Sequence, residues 1–411
     1  MIIPSIKTHV LLLLSSSLSP ALGVPAYQAP LTGGSLATPN HNISRDLFDD
    51  LEELSRIVDI SYCVGVTGTG IQKPFLCASR CQDFPHFELV TTWNTGPFMS
   101  DSCGYVVLSH PPSPPRIIAA FRGTYSVANT IIDLSTIPQE YIPYPGDEDE
   151  DDDDDDDGGD DNKVLRRRWT STEKAECTNC TVHAGFMQSW RHTRPQILSH
   201  LKEAIQKYPQ YQLALVGHSL GGAVAALASL DFEAHGWEPQ VTTFGEPRIG
   251  NAGLMQYIDN SFSNGSSTNI TGRYRRVTHV DDPVPLLPLT EWGYQMHAGE
   301  VYISKPNIPP EVEDLRYCEG DEDPECIAGA ETRQGSPSLP NIEEGADIEG
   351  FRDWWNETRG LLTVPSRFRI WQLFFAHRDY FWRLGLCLPG GDPKDWYRKH
   401  PHDEEGETLE L

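Results

Sequence analysis

The sequence predicts an α/β fold with a mostly parallel central sheet flanked by helices. Short apolar segments rich in β-branched and aromatic residues alternate with segments in which apolar residues recur at helical spacing. One apolar segment, 211–216, passes through a glycine-rich turn directly into the apolar helical pattern of 223–228. Strands that alternate with helices build parallel sheets, so this order favours the α/β class.

The elements follow one another along the chain. Ser44 can cap a first helix, because apolar residues recur at helical spacing from Leu47 to Tyr62. A second helix is expected to begin at Pro195, since proline has no N–H to lose in the first helical turn. Strands are predicted at 88–93, 105–108, 116–121, 240–244, 274–280 and 300–304.

The ends of the chain and two internal stretches fall outside this pattern. Residues 1–23 combine a basic start, a short apolar run and small residues, as in a secretory signal peptide, so we expect an extracellular protein. No later segment is long and apolar enough to span a membrane. We expect one domain over 24–390, with insertions at about 145–170 and 319–365, and a polar tail over 391–411. The run of acids from Asp147 to Asp157 predicts a disordered loop, because like charges repel.

Composition limits the functional classes. The formal net charge of −27 and the absence of a basic stripe exclude nucleic acid as a partner. The nine cysteines predict disulfides and one remaining thiol, which we place among Cys77, Cys81 and Cys103. We read Cys177-x-x-Cys180 as a structural clip, and we expect no metal, no cofactor and a monomer. Five sequons could carry glycans: Asn42, Asn179, Asn264, Asn269 and Asn356.

The strongest chemical signal is Gly217-His218-Ser219-Leu220-Gly221-Gly222. Small residues let a strand and a helix approach closely, and the sharp turn between them exposes the serine as a nucleophile. A serine nucleophile needs a histidine base and a carboxylate that orients the base. Ser219 is therefore the predicted nucleophile of a hydrolase.

The partners of Ser219 should follow it in the chain. Asp281 and Asp282 precede Pro283, where the chain must leave the sheet, and strand alternation allows one of them to serve. His297 and His377 compete for the base, and spacing alone favours His377 slightly. His183 precedes the serine and is read as structural.

An acyl-transfer site also needs two backbone donors for the developing oxyanion. Leu220 follows the nucleophile and should supply one N–H. Thr124, in the turn Arg122-Gly123-Thr124 after a predicted strand, should supply the other.

These motifs, taken in order, resemble a known family. The segments that carry the resemblance are 121–124, 177–186, 217–222, 243–251 and 282–285. They look like the fungal extracellular class 3 lipases, which include the related feruloyl esterases. The resemblance implies an α/β-hydrolase fold with Ser219, Asp282 and His377 as the triad, and His297 in a structural motif. It also implies three disulfides: Cys63–Cys387, Cys177–Cys180 and Cys318–Cys326.

The same resemblance sets the expected activity. It implies a lid over Tyr125–Asp133, after the oxyanion turn, which would cover an apolar groove and open at a lipid–water interface. We expect a secreted carboxylic ester hydrolase, a triacylglycerol lipase, acting through an acyl-enzyme. Thr130 and Ala128 stand in place of the aromatic and basic residues of the best-known lipase lids, so a feruloyl or short-chain esterase is the alternative. The intact residue set weighs against a non-catalytic binding protein.

Overall fold

The computed structural model describes residues 41–65, 70–96, 102–124, 138–143, 177–262, 272–319, 322–329 and 376–389. Several predicted features lie outside these residues. They are the signal peptide over 1–23, the lid over 125–133, the insertion over 145–170, most of that over 319–365, and the tail over 391–411.

The centre of the fold is an eight-stranded sheet. Five neighbouring strands run parallel, and the three strands at the two edges run antiparallel to their neighbours, so the predicted α/β class is confirmed. The strands in spatial order are β1 (Phe87–Asn94), β2 (Cys103–Ser109), β3 (Arg116–Phe121), β6 (Gln212–His218), β7 (Gln240–Phe244), β8 (Tyr274–His279), β9 (Glu300–Ile303) and β10 (Leu315–Tyr317). Strands β4 (Pro138–Glu140) and β5 (Thr181–His183) form a separate antiparallel pair.

Helices cover both faces of the sheet. They are α1 (Arg45–Ile60), α2 (Ala184–Lys207), α3 (Leu220–Ala234) and α4 (Ala252–Phe262). Alternate residues of β3 divide between two apolar cores: Ile117 packs with α2, α3 and α4, whereas Ile118 packs with α1. The Ser44 hydroxyl accepts the Leu47 N–H at 3.1 Å, so the predicted cap of α1 is confirmed. None of the helices in the described ranges is long and apolar enough to cross a bilayer.

The predicted start of the second helix at Pro195 is wrong. Helix α2 begins at Ala184 and contains Pro195 in its interior. Its buried face continues past the proline, with Phe186 and Trp190 before Pro195 in the sequence and Ile197 after it. Because these side chains pack into the same core, their burial outweighs the one backbone hydrogen bond that proline cannot make.

The cysteines pair as the resemblance implies, in Cys63–Cys387, Cys177–Cys180 and Cys318–Cys326. A fourth disulfide joins Cys77 to Cys81, which leaves the buried Cys103 as the cysteine outside the disulfides. The Cys63–Cys387 disulfide joins cysteines that lie 324 residues apart in the sequence. It fastens the described segment 376–389 to the residues just after α1.

Candidate active site

Ser219 occupies the sharp turn between β6 and α3, as the glycine pattern predicts. Its φ is 58° and its ψ is −130°, a strained conformation for a residue with a side chain. A Cβ added at Gly217 would lie 2.3 Å from the Gly221 carbonyl oxygen, and one added at Gly221 would lie 2.3 Å from the Phe121 carbonyl oxygen. The two glycines therefore allow the strand, the helix and the end of β3 to meet around the serine.

The structure brings Asp282 and His377 into direct contact. The Nδ1 atom of His377 lies 2.9 Å from both carboxylate oxygens of Asp282. The Tyr380 hydroxyl and the Val284 N–H donate to the same carboxylate, at 2.5 and 2.9 Å. Burial alone would raise the pKa of Asp282, but the His377 imidazole and these donors outweigh it and lower the pKa. Asp282 therefore stays ionised and can stabilise a positive charge on His377.

Ser219 Oγ and His377 Nε2 both have no hydrogen-bond partner among the described residues. Both side chains are 1% exposed. Ser219 contacts the end of β7, since its N–H donates to the Phe244 carbonyl at 2.9 Å, and His377 lies beside the next residue, since a Cβ at Gly245 would lie 2.9 Å from His377 Cε1. The hydroxyl and the imidazole nitrogen are therefore left available for a nucleophile and its base.

The turn Arg122-Gly123-Thr124 packs against Ser219. A Cβ added at Gly123 would lie 2.8 Å from Ser219 Cβ and 2.7 Å from the His218 carbonyl oxygen, so glycine allows this approach. Thr124 follows in the same turn and is half-buried. Leu220 is the first residue of α3, where helical N–H groups have no acceptor within the helix. Two elements that carry the predicted backbone donors therefore adjoin the serine.

His218 packs on His377 without sharing its role. The two rings stack with their centroids 4.8 Å apart and their planes 30° apart. Burial and the nearby His377 ring lower the pKa of His218 to about 3, so His218 is neutral at ordinary pH. Its Nδ1 contacts the Tyr62 hydroxyl at 2.5 Å, and its Nε2 donates to the His377 carbonyl at 2.8 Å.

The other histidines and the other aspartate that the sequence offered for the site make different contacts from those of His377 and Asp282. His297 contacts Glu246 through Nε2 at 3.1 Å and the Ala298 carbonyl through Nδ1 at 2.9 Å. Asp281 is exposed, whereas Asp282 is buried. Strand β8 ends at His279, earlier than predicted, so both aspartates belong to the following turn and do not alternate across a strand. His183 stacks on Phe186, with ring centroids 4.1 Å apart.

Potential metal ligands come together once in the described part of the chain. Glu300, Cys318 and Cys326 place their ligand atoms within 4.8 Å of one another. The two sulfurs are joined in a disulfide, however, and thiolates are the form of cysteine that binds metals. Glu300 is instead bonded to the Thr278 hydroxyl and the Ile327 N–H. This cluster is structural.

Sequence reasoning did not identify Tyr62, and it assigned no role to His218 or Tyr380. Tyr380 had a local signal, because it lies only three residues after His377. Tyr62 had none, since 156 residues separate it from His218 and its contact depends on the tertiary fold.

These elements have the arrangement of an α/β-hydrolase fold. Residues 118–292 match the family described as lipase (class 3). The chain is 48% identical to the secreted mono- and diacylglycerol lipase 2 of Gibberella zeae, over 99% of this chain and 98% of the relative. It is also 48% identical to lipase A of Sodiomyces alcalophilus, over 90% of this chain and 89% of the relative.

A solved structure agrees with this similarity. The Lip2 lipase of Yarrowia lipolytica superposes with a TM-score of 0.62 and 28% identity, covering 84% of this chain and 97% of that one. The chain belongs to the class 3 lipase family. It is a secreted carboxylic ester hydrolase, and the expected fold, family and reaction class are confirmed.

Proposed function

We propose that the protein hydrolyses acylglycerols through an acyl-enzyme on Ser219. The observation that carries the proposal is the pair of unpartnered, buried atoms Ser219 Oγ and His377 Nε2, with the opposite nitrogen of His377 bonded to Asp282. A serine hydroxyl is a weak nucleophile by itself, and this arrangement supplies the base and the group that orients the base.

The proposed reaction has two steps. His377 Nε2 accepts the hydroxyl proton while Ser219 Oγ bonds to the ester carbonyl carbon, and the imidazolium then gives its proton to the departing alcohol. Water repeats the sequence on the acyl-enzyme and releases the fatty acid. Asp282 stabilises the imidazolium, because its low pKa keeps it charged throughout. The N–H groups of Leu220 and Thr124 stabilise the oxyanion of each tetrahedral intermediate.

We propose mono- and diacylglycerols as the substrates. The support is the similarity to the Gibberella zeae enzyme, whose name gives that substrate class and whose length this chain matches almost completely. Triacylglycerols, which the sequence analysis favours, and feruloyl or short-chain esters are the alternatives. Hydrolysis of emulsified triolein, diolein and monoolein, soluble p-nitrophenyl butyrate and methyl ferulate separates them. Higher turnover of triolein or methyl ferulate than of diolein would contradict the substrate proposal.

The catalytic roles need a separate test. Labelling by an organophosphonate should occur in the wild type and disappear in Ser219→Ala. His377→Ala should lower kcat by about 10⁴-fold or more, as in other serine hydrolases that lose a member of the triad. His297→Ala is the matched control, since it removes a buried histidine that contacts Glu246 and not Asp282. A larger loss of kcat in His297→Ala than in His377→Ala would refute the assignment.

We also propose that residues 1–23 are removed on secretion, leaving a single domain over 24–390 that acts as a monomer. The apolar N-terminus supports the cleavage, and the origin of all proposed catalytic groups from one chain supports the monomer. Asn42 and Asn179 are exposed and could carry glycans. N-terminal sequencing of the secreted protein should begin at Val24. Light scattering tests the monomer, and a loss of mass on glycosidase treatment tests the glycans.

A further inference from the structure

A directed chain of hydrogen bonds connects the turn at 122–124 to the backbone of His377. The Gly123 N–H donates to the Tyr62 hydroxyl oxygen. The Tyr62 hydroxyl contacts His218 Nδ1 at 2.5 Å. His218 Nε2 then contacts the His377 carbonyl oxygen at 2.8 Å. Two segments that are far apart in the sequence, the turn at 122–124 and the segment of His377, are therefore joined through the side chains of Tyr62 and His218.

The direction of each bond follows from its acceptor. A carbonyl oxygen can only accept, so His218 Nε2 must carry a hydrogen. His218 is neutral, because burial lowers its pKa to about 3, and its Nδ1 therefore has a lone pair and no hydrogen. Tyr62 must donate to this lone pair, which leaves its own oxygen free to accept from Gly123. Burial also raises the pKa of the Tyr62 hydroxyl, so it keeps its proton.

This series of hydrogen bonds reaches the oxyanion turn, the turn of Ser219 and the backbone of His377, and its two side chains take no part in the reaction. Gly123 precedes Thr124, the proposed oxyanion donor, and His218 precedes Ser219. His377 receives both the hydrogen bond at its carbonyl and the stacked ring of His218. Because His218 is neutral, it can support the His377 ring without repelling the positive charge that develops there.

We propose that Tyr62 and His218 are positioning residues that set the distance between the oxyanion turn and the base His377. The proposal rests on the function proposed above, and it adds two residues that exchange no proton and form no bond in the reaction. It predicts that loss of either hydrogen bond lowers kcat more than it changes KM, since the groups that it positions act in the transition state.

Tyr62→Phe is the first test, with Tyr105→Phe as its matched control. Tyr105 is equally buried, and its hydroxyl donates to the Ile57 carbonyl of α1 at 2.7 Å, away from Ser219 and His377. Each variant loses one buried tyrosine hydroxyl. With p-nitrophenyl butyrate we expect kcat to fall about tenfold in Tyr62→Phe, with KM within twofold, because a buried hydrogen bond contributes an effect of this order. Tyr105→Phe should keep the wild-type kcat while its unfolding midpoint falls.

The second test distinguishes the effect of the hydrogen-bond donor of His218 from the effect of its side-chain volume. The amide of His218→Gln can still donate to the His377 carbonyl, whereas His218→Leu fills similar space without a donor. We expect His218→Gln to keep at least fivefold more kcat than His218→Leu at similar unfolding midpoints. If His218→Leu does not fold, the comparison of Tyr62→Phe with Tyr105→Phe alone tests the positioning proposal.

Equal kcat in Tyr62→Phe and Tyr105→Phe, or equal kcat in the two folded His218 variants, overturns the positioning proposal. These outcomes are distinct from failure of the proposed function, which phosphonate labelling of Ser219→Ala and wild type tests directly. A wild type labelled at Ser219 together with an unaffected Tyr62→Phe would refute the positioning chain alone.

Discussion

Gly245→Ala perturbs the site from the backbone side without removing any of its functional groups. Gly245 has a φ of +62°, and a Cβ there would lie 2.6 Å from the Tyr380 hydroxyl oxygen. The same Cβ would lie 2.9 Å from Asp282 Oδ2 and 2.9 Å from His377 Cε1. All three distances are shorter than real carbon contacts, so the three side chains must move by about 0.5–0.8 Å to reach normal van der Waals separation.

The expected loss follows from this displacement. Moving Tyr380 and Asp282 weakens a charge-assisted hydrogen bond that is 2.5 Å long. A misplacement of about 1 Å costs on the order of 10²-fold in rate, so a movement of about 0.5–0.8 Å should lower kcat by roughly tenfold to fortyfold. The left-handed backbone adds about 1–2 kcal/mol of destabilisation, because alanine adopts this conformation reluctantly.

Gly236→Ala is the control that separates the two effects. Gly236 has a similar φ of +71°, and a Cβ there would meet nothing within 4 Å. Both variants should lose stability in urea unfolding, and Gly245→Ala should lose more because its Cβ also overpacks three buried side chains. Gly245→Ala alone should lose kcat on p-nitrophenyl butyrate. If Gly245→Ala keeps kcat within twofold of Gly236→Ala, the packing of these three side chains does not limit the reaction, and the reasoning fails.

Three further predictions concern single side chains. Tyr380→Phe should lower kcat about tenfold or more, because it removes a donor to the charged Asp282, and an unchanged pH–rate profile and kcat would contradict this. His297→Ala should lower the unfolding midpoint, since it leaves Glu246 buried without one partner, and unchanged thermal unfolding would contradict it. Burial raises the pKa of Asp59 from 3.8 to about 6, so its contribution to stability is fully present below pH 3.8 and is lost as the pH rises through 6. Asp59→Asn cannot ionise, so its stability relative to wild type should increase by up to about 3 kcal/mol between pH 4 and pH 7, and a constant difference would refute this.

The sequence predicts most accurately the features whose constraints are local. The turn around Ser219 was predictable because its glycines, its strand and its helix lie within about twenty consecutive residues. The limits of β3 and β7 match the predicted segments, since β-branched and aromatic runs end at clear turn signals. The start of α2 was not predictable from Pro195, because the burial of Phe186 and Trp190 against the sheet decides it.

Residues that meet across long separations were harder to assign. From spacing alone, His297 and His377 were almost equal candidates, since nothing local says which ring reaches Asp282. The fold places His297 against Glu246, and it brings His377 to Asp282 across 95 residues. Only the family resemblance distinguished them before the structure, because a family motif carries tertiary information that one sequence does not.

The two proposed partners of Ser219 are held in different ways, and this difference explains where sequence reasoning stopped. Asp282 lies just after β8, and its N–H donates to the His279 carbonyl, so the sheet itself fixes its position. His377 lies in a described segment that contributes no strand to the sheet. The Cys63–Cys387 disulfide, the 2.8 Å bond from the Gly385 N–H to Asp59 and the His218 contact hold that segment instead. These contacts come from α1, the residues just after it, and β6. The position of His377, the proposed base, therefore depends on the whole fold, whereas the position of Asp282 depends on the end of one strand.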